Sequence, residues 1–221
     1  MHNVIDNLNF IQNEIKIKIK KLNLPNYNPK IIAVSKTFPI NEILPLLKYG
    51  HLNFGENKVQ EAQLKWEGIK NTYPNIKLHM VGKLQTNKVK LAVKLFDYIH
   101  SVDTLKLAKK IKSEQEKIKK NLKLFIQVNI GNEKQKSGIL KNELKDFYEC
   151  LVREYKINVI GLMCIPPIDI DSKKVFEWMK NMRDNLGLNE LSMGMSSDYL
   201  EAVKKESTFI RIGSKIFGER N

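Results

Sequence analysis

Apolar positions along the chain follow two different spacings, and the change from one to the other marks the elements. Val4, Leu8, Ile11, Ile15, Ile19 and Leu22 recur at three- and four-residue steps, which predicts an amphipathic helix over 4–22 that closes one end of the fold. The run Ile31-Ile32-Ala33-Val34 is apolar on both alternating faces, as expected of a strand over 30–36 buried on both sides in a parallel sheet. A helix over 41–49 follows, ending at Gly50. The alternation then becomes regular, with strands over 51–54, 77–81, 98–102 and 122–130 and helices over 58–72, 86–95, to about Lys119 from a cap at Asp103, and 141–155. Strands over 158–165, 190–193 and 209–212 complete the series, with helices over 171–186 and 198–205 between them. Eight strands alternating with helices, without a linker or a shift in composition, predict an α/β fold of one domain over 1–221. The architecture expected is a single TIM-type (β/α)8 barrel with an extra N-terminal helix.

Such a barrel carries its chemistry on the loops that leave the C-terminal ends of the strands, and the polar and glycine-rich segments gather there. Lys36 ends the first strand on the face of Ile32 and Val34. An ammonium drawn towards that interior is costly to desolvate, so its pKa should fall, and the neutral amine can attack an aldehyde to form a Schiff base. Gly55-Glu56-Asn57, Gly82-Lys83-Leu84-Gln85, the segment 129–138 and Pro166-Pro167 lie at other strand ends. Gly194-Met195-Ser196-Ser197 runs into a helix start, and Gly213-Ser214 follows the last strand. These two turns suit a phosphate, because helix-start N–H groups and serine hydroxyls are donors and a glycine lets the backbone approach. Arg211 alternates with Ile210 and Ile212 and is expected to point into the barrel. There it would either meet an ion-pair partner, with Glu56 as candidate, or lie beside an aromatic cofactor ring.

Composition narrows the chemistry. The chain has 221 residues, 42% hydrophobic and 8% aromatic, which suits a globular protein with a substantial core. It has no apolar run long enough for a membrane span and no signal-peptide core, so a cytoplasmic location is expected. Cys150 and Cys164 show no CxxC spacing, and His2, His51, His79 and His100 are scattered singly, so each histidine reads as structural and no metal site is expected. The net charge of +14 could attract nucleic acid, but its lysines are spread over nearly every helix and no aromatic residues interleave for stacking. No specific nucleic-acid partner is expected. Neither GxGxxG after a strand nor GxxxxGK[ST] occurs. A strand-end lysine opposite a phosphate cradle points instead to pyridoxal 5'-phosphate, which needs an amine, an anion site and a group at its ring nitrogen.

The motifs carry a resemblance in sequence order. Ala33-Val34-Ser35-Lys36-Thr37, Phe54-Gly55-Glu56-Asn57, Val59-Gln60-Glu61, Gly82 with Leu84-Gln85, Lys136-Ser137-Gly138, Gly161-Leu162-Met163, Met193-Gly194-Met195-Ser196 and Arg211-Ile212-Gly213 together resemble the pyridoxal phosphate homeostasis proteins. That family shares the barrel of bacterial alanine racemases without their second domain, whose tyrosine racemisation also needs. The resemblance implies that Lys36 is the Schiff-base lysine and that Asn57 and Met163 lie near the cofactor. It further implies that Ser196, Gly213 and Ser214 hold the phosphate and that Arg211 faces the pyridine nitrogen. The family commonly has tyrosine at Lys58, threonine at Ser214 and alanine at Lys215; Ser214 keeps the hydroxyl, and the two lysines add positive charge. Little or no turnover is implied, with a role in vitamin B6 and amino-acid homeostasis and apo-forms of pyridoxal phosphate enzymes as candidate recipients. A reduced amino-acid racemase is the enzymatic alternative. Lys136 lies on the same face of the expected barrel and is a candidate second aldehyde site.

Overall fold

The computed structural model describes residues 3–133 and 135–219; His2 lies outside them. Eight parallel strands close into a barrel: β1 (Lys30–Val34), β2 (Asn53–Glu56), β3 (Lys77–Met80), β4 (Tyr98–Val102), β5 (Lys123–Asn129), β7 (Val159–Cys164), β8 (Glu190–Ser192) and β9 (Phe209–Ile212). Their order is β4-β3-β2-β1-β9-β8-β7-β5, and pairing of β4 with β5 closes the ring. A two-residue strand that the periodicity did not foretell, β6 (Ile139–Leu140), adds to β5 alongside Val128 and Asn129.

The strand interiors sort by parity. Ile32, Val34, Tyr98, Phe125, Met163 and Phe209 fill the barrel, while Ile31, Ala33, Phe54, Ile99 and Leu124 face the surrounding helices. At about 25 cal/mol per Å² of apolar surface removed from water, this double-sided burial is the main stabilising term.

Around the barrel lie α1 (Val4–Lys21), α2 (Ile40–Lys48), α3 (Val59–Trp66), α4 (Ile69–Thr72), α5 (Val89–Leu95), α6 (Leu105–Lys117), α7 (Leu144–Glu149), α8 (Ser172–Asn185), α9 (Tyr199–Lys204) and α10 (Ser214–Phe217). Contrary to expectation, α1 does not close an end. It lies in the helix ring against α2, α9 and α10, burying Val4, Leu8, Ile11 and Ile15, and Asn7 donates to the Ile216 carbonyl at 2.9 Å. Among the described residues β9 leads into the one-turn α10, and α1 packs beside it in the outer layer.

Several boundaries shift for local reasons. Gly50 adopts φ +91°, and the N–H of His51 bonds the Leu46 carbonyl, so His51 belongs to the end of α2 and β2 begins two residues later. The helix expected over 58–72 is two helices, α3 and α4. Thr104, not Asp103, caps α6 by accepting from the Leu107 N–H, whereas Asp103 faces the backbone of Gly138. The helix expected over 141–155 starts at Leu144 and relaxes into a π-turn over Cys150–Glu154. Among the described residues no helix is long and apolar enough to cross a membrane.

Candidate functional site

The end of β1 is held from outside the barrel. Ser35 is buried; its N–H bonds the Gly55 carbonyl at 3.0 Å and its hydroxyl donates to Glu56 Oε1 at 2.8 Å. Glu56 belongs to β2, not to the loop after it, and faces outward with Phe54. Its Oε1 also accepts from Trp66 Nε1 at 2.9 Å and from Lys65 Nζ at 3.0 Å, while Oε2 is buried without a hydrogen-bond partner among the described residues. Lys65 reaches further, to the Ser35 carbonyl at 2.8 Å and to Glu61 at 3.5 Å. Glu61 accepts the Thr37 N–H at 2.5 Å. Thr37 has φ +69°, a left-handed conformation that is strained for a β-branched residue. The chain therefore turns sharply just past Lys36, and the half-buried lysine keeps the inward parity of Ile32 and Val34.

Lys36 lines a cavity of about 530 Å³ at the C-terminal ends of the strands, within the usual range of small-molecule sites. Met195, Ser196, Ser197, Arg211, Gly213 and Ser214 form the wall from β8 and β9, and Val34, Val81 and Ile165 add apolar surface. Gly194 makes the turn after β8 possible: its φ is +89°, and a Cβ there would lie 2.5 Å from Ala202 on α9. Asp198 accepts the Met195 N–H at 2.6 Å, and burial raises its carboxyl pKa. Ser196 Oγ accepts from the Lys215 N–H at 3.4 Å, tying the two serine turns together. Among the described residues the N–H groups of Ser196, Ser197 and Ser214 have no protein acceptor.

Arg211 points inward and is 5% exposed. The ion pair with Glu56 does not form, because Glu56 sits on the outer face with Lys65. Arg211 donates instead to two neutral acceptors, Ser192 Oγ at 2.8 Å and the Cys164 carbonyl at 2.7 Å, and makes no salt bridge among the described residues. Burial lowers its pKa and pushes the Cys164 thiol up to about 12.

Of the residues singled out in the sequence, Lys36, Ser196, Arg211, Gly213 and Ser214 meet at this cavity. Met163 is fully buried in the barrel interior, and Asn57 lies beside a separate cleft of about 330 Å³ with Lys58, Lys83 and Lys88. The Asn57 side-chain oxygen is buried without a hydrogen-bond partner among the described residues. Lys136 pairs with Glu133 at 2.7 Å and lies off the cavity wall, and the exposed Lys215 approaches the Tyr199 ring at 4.7 Å. Sequence reasoning quoted Ser35 and Glu61 within motifs without giving them a role, and passed over Lys65 and Ser192. The four-residue spacing of Glu61 and Lys65 was a visible signal; Ser192 showed only as a polar residue in a short strand.

A closed parallel barrel with a lysine at the end of its first strand and serine turns after its last two is the architecture of one class. The model of the alanine racemase N-terminal domain family matches residues 7–221. A relative from Haemophilus influenzae, named pyridoxal phosphate homeostasis protein, is 36% identical over 229 residues, which cover 99% of this chain and 97% of the relative. The chain belongs to the pyridoxal phosphate homeostasis protein family. PipY of Synechococcus elongatus PCC7942, solved with PLP bound, is 33% identical with a TM-score of 0.79 over 92% of this chain and 100% of that one. The alanine racemase of Clostridium difficile 630 shares the fold, with a TM-score of 0.71 at 17% identity; the match covers 99% of this chain and 57% of the racemase.

Proposed function

We propose that the cavity binds pyridoxal 5'-phosphate and that the protein serves vitamin B6 and amino-acid homeostasis by holding this reactive aldehyde with little or no turnover. Lys36 would hold the aldehyde end through its amine, the turns at Ser196 and Gly213-Ser214 would take the phosphate, and Arg211 would face the ring nitrogen. The observation that carries the reading is one cavity shared by a strand-end lysine, two turns whose N–H groups have no protein acceptor among the described residues, and a buried guanidinium that makes no salt bridge among them. The residues present fit the cofactor. A Cβ on Gly213 would meet no protein atom closer than 3.5 Å, so protein packing does not demand glycine there and the wall is left open for a ligand. The name of the H. influenzae relative and the PLP bound to PipY support the choice of aldehyde.

When bound, pyridoxal phosphate supplies an electrophilic aldehyde and, over an amino acid, an electron sink. Arg211 weakens the second capacity, because a guanidinium keeps its own proton and cannot give it to the ring nitrogen. Lys36 and the serine turns then act as a clamp at the two ends of the molecule. We place this activity in the cytoplasm, with apo-forms of pyridoxal phosphate enzymes as recipients.

Incubation with pyridoxal phosphate, borohydride reduction and peptide mass mapping test the reading. Label on Lys36 is expected, and no label or label scattered over many lysines sinks it. Added amino acids should exchange their α-protons at the background rate; exchange at enzymatic rates would make the protein a racemase.

A further inference from the structure

Beneath the cavity the barrel holds a second set of polar groups that cofactor binding leaves unused. His79 on β3 and His100 on β4 are fully buried, stacked on Tyr98 and Phe125 respectively. His79 Nδ1 lies 3.0 Å from His100 Nε2. On the cavity side His100 Nδ1 lies 2.9 Å from Ser192 Oγ, which in turn accepts from Arg211 Nη1. On the other side His79 Nε2 lies 3.1 Å from Asn53 Oδ1, at the start of β2. Five side chains from five strands thus form an unbroken chain from the cavity floor towards the opposite end of the barrel.

The two ends set its direction. A guanidinium can only donate, so Ser192 Oγ accepts from Arg211 and has its own proton to give. The acceptor in reach is His100 Nδ1. His100 then carries its proton on Nε2 and donates to His79 Nδ1, and His79 carries its proton on Nε2 and donates to the amide oxygen of Asn53. The reverse direction would leave the Ser192 proton without an acceptor among the described residues, a costly outcome at a buried site. The charges felt along the chain agree. Burial first, then Lys30, His51 and Lys123 near His79, and His79 and Arg211 near His100, hold both imidazoles well below their usual pKa and so neutral.

We propose that Ser192, His100, His79 and Asn53 are positioning residues, a one-way hydrogen-bond chain that fixes the Arg211 guanidinium at the cavity floor with both imidazoles protonated on Nε2. The inference rests on the pyridoxal phosphate reading only for what Arg211 faces; the chain itself follows from the geometry.

Long-range 1H–15N NMR of histidine-labelled protein without cofactor decides it. His79 and His100 should both show a protonated Nε2 and a bare, hydrogen-bonded Nδ1, with no titration from about pH 8 down to about pH 5.5. Ser192→Ala should move the His100 Nδ1 resonance to that of a nitrogen without a donor, and Ser192→Thr should restore it. With pyridoxal phosphate added, Ser192→Ala should retain the cofactor about tenfold less well and shift its absorption band, and Ser192→Thr should recover both. An Nδ1-protonated tautomer, an imidazolium in that range, or a Ser192→Ala protein unchanged in both spectra would overturn the proposal. The wild-type spectrum answers even if Ser192→Ala fails to fold. Failure of the wild-type protein to take up pyridoxal phosphate would end the cofactor reading, while the tautomers would still decide the chain.

Discussion

Two buried cations stand on opposite sides of the same sheet, and they are treated differently. Lys65, on the helix side of β1 and β2, meets the carboxylate of Glu56 at 3.0 Å, the Ser35 carbonyl and Glu61. Arg211, inside the barrel, hydrogen-bonds a hydroxyl and a backbone carbonyl and makes no salt bridge among the described residues. The first cation is neutralised and its work is local: it braces the strand end and turn that present Lys36. The second feels the Asp198 carboxylate only at a distance, an arrangement at a cavity floor that folding alone rewards little, since a desolvated charge without a contacting counter-charge is costly. A buried cation without a contacting carboxylate beside a strand-end lysine is therefore the better pointer to function, and the ion-paired one to scaffold.

Breaking each cation should separate the two roles. Lys65→Met leaves Glu56 buried without its counter-charge and should cost about 3–5 kcal/mol in denaturant unfolding, the largest effect expected here. Adding Glu56→Gln should recover much of that loss. Arg211→Met should cost only about 1–2 kcal/mol, because two bonds to neutral acceptors are lost while a desolvated charge is removed. Its effect on function should be larger, with pyridoxal phosphate retained on dialysis at least about tenfold less well. Equal stability losses in the two variants would erase the contrast.

Acid provides a smaller and graded test of the barrel interior. His79 and His100 have folded-state pKa values depressed by burial, so the unfolded chain takes up their protons first. Their contribution to stability is complete above the usual value of about 6.5 and falls away below it, by up to about 1.4 kcal/mol per pH unit for each histidine. Unfolding midpoints between about pH 7.5 and about pH 5.5 should follow that slope, and replacing His79 by Gln should flatten it. An acid-insensitive midpoint would mean that the histidines are not held neutral.

The sequence made the barrel legible because strands buried on both faces read as unbroken apolar runs, as in Ile31–Val34 and Leu124–Ile126. Lys36 was legible by parity with Ile32 and Val34, and the inward turn of Arg211 by its alternation with Ile210 and Ile212. What Arg211 meets was not. Its acceptors lie on β7 and β8, and Glu56 turned out to share the outward parity of Phe54; such pairings depend on register between strands far apart in the chain. The two histidines looked isolated for the same reason. They meet because β3 and β4 pair with His79 opposite Tyr98, which brings His100 within reach. Helix ends were misplaced where backbone detail decides them, as at Gly50 with its positive φ and at Thr104, whose hydroxyl takes the capping role given to Asp103.

The most direct test of the whole account is a crystal structure of the protein grown with pyridoxal phosphate. The account predicts density continuous from Lys36 Nζ into the cofactor, with the phosphate at the Ser196 and Gly213-Ser214 turns and the ring nitrogen facing Arg211. Cofactor at another lysine, or a cavity that stays empty while the protein is saturated, would contradict it.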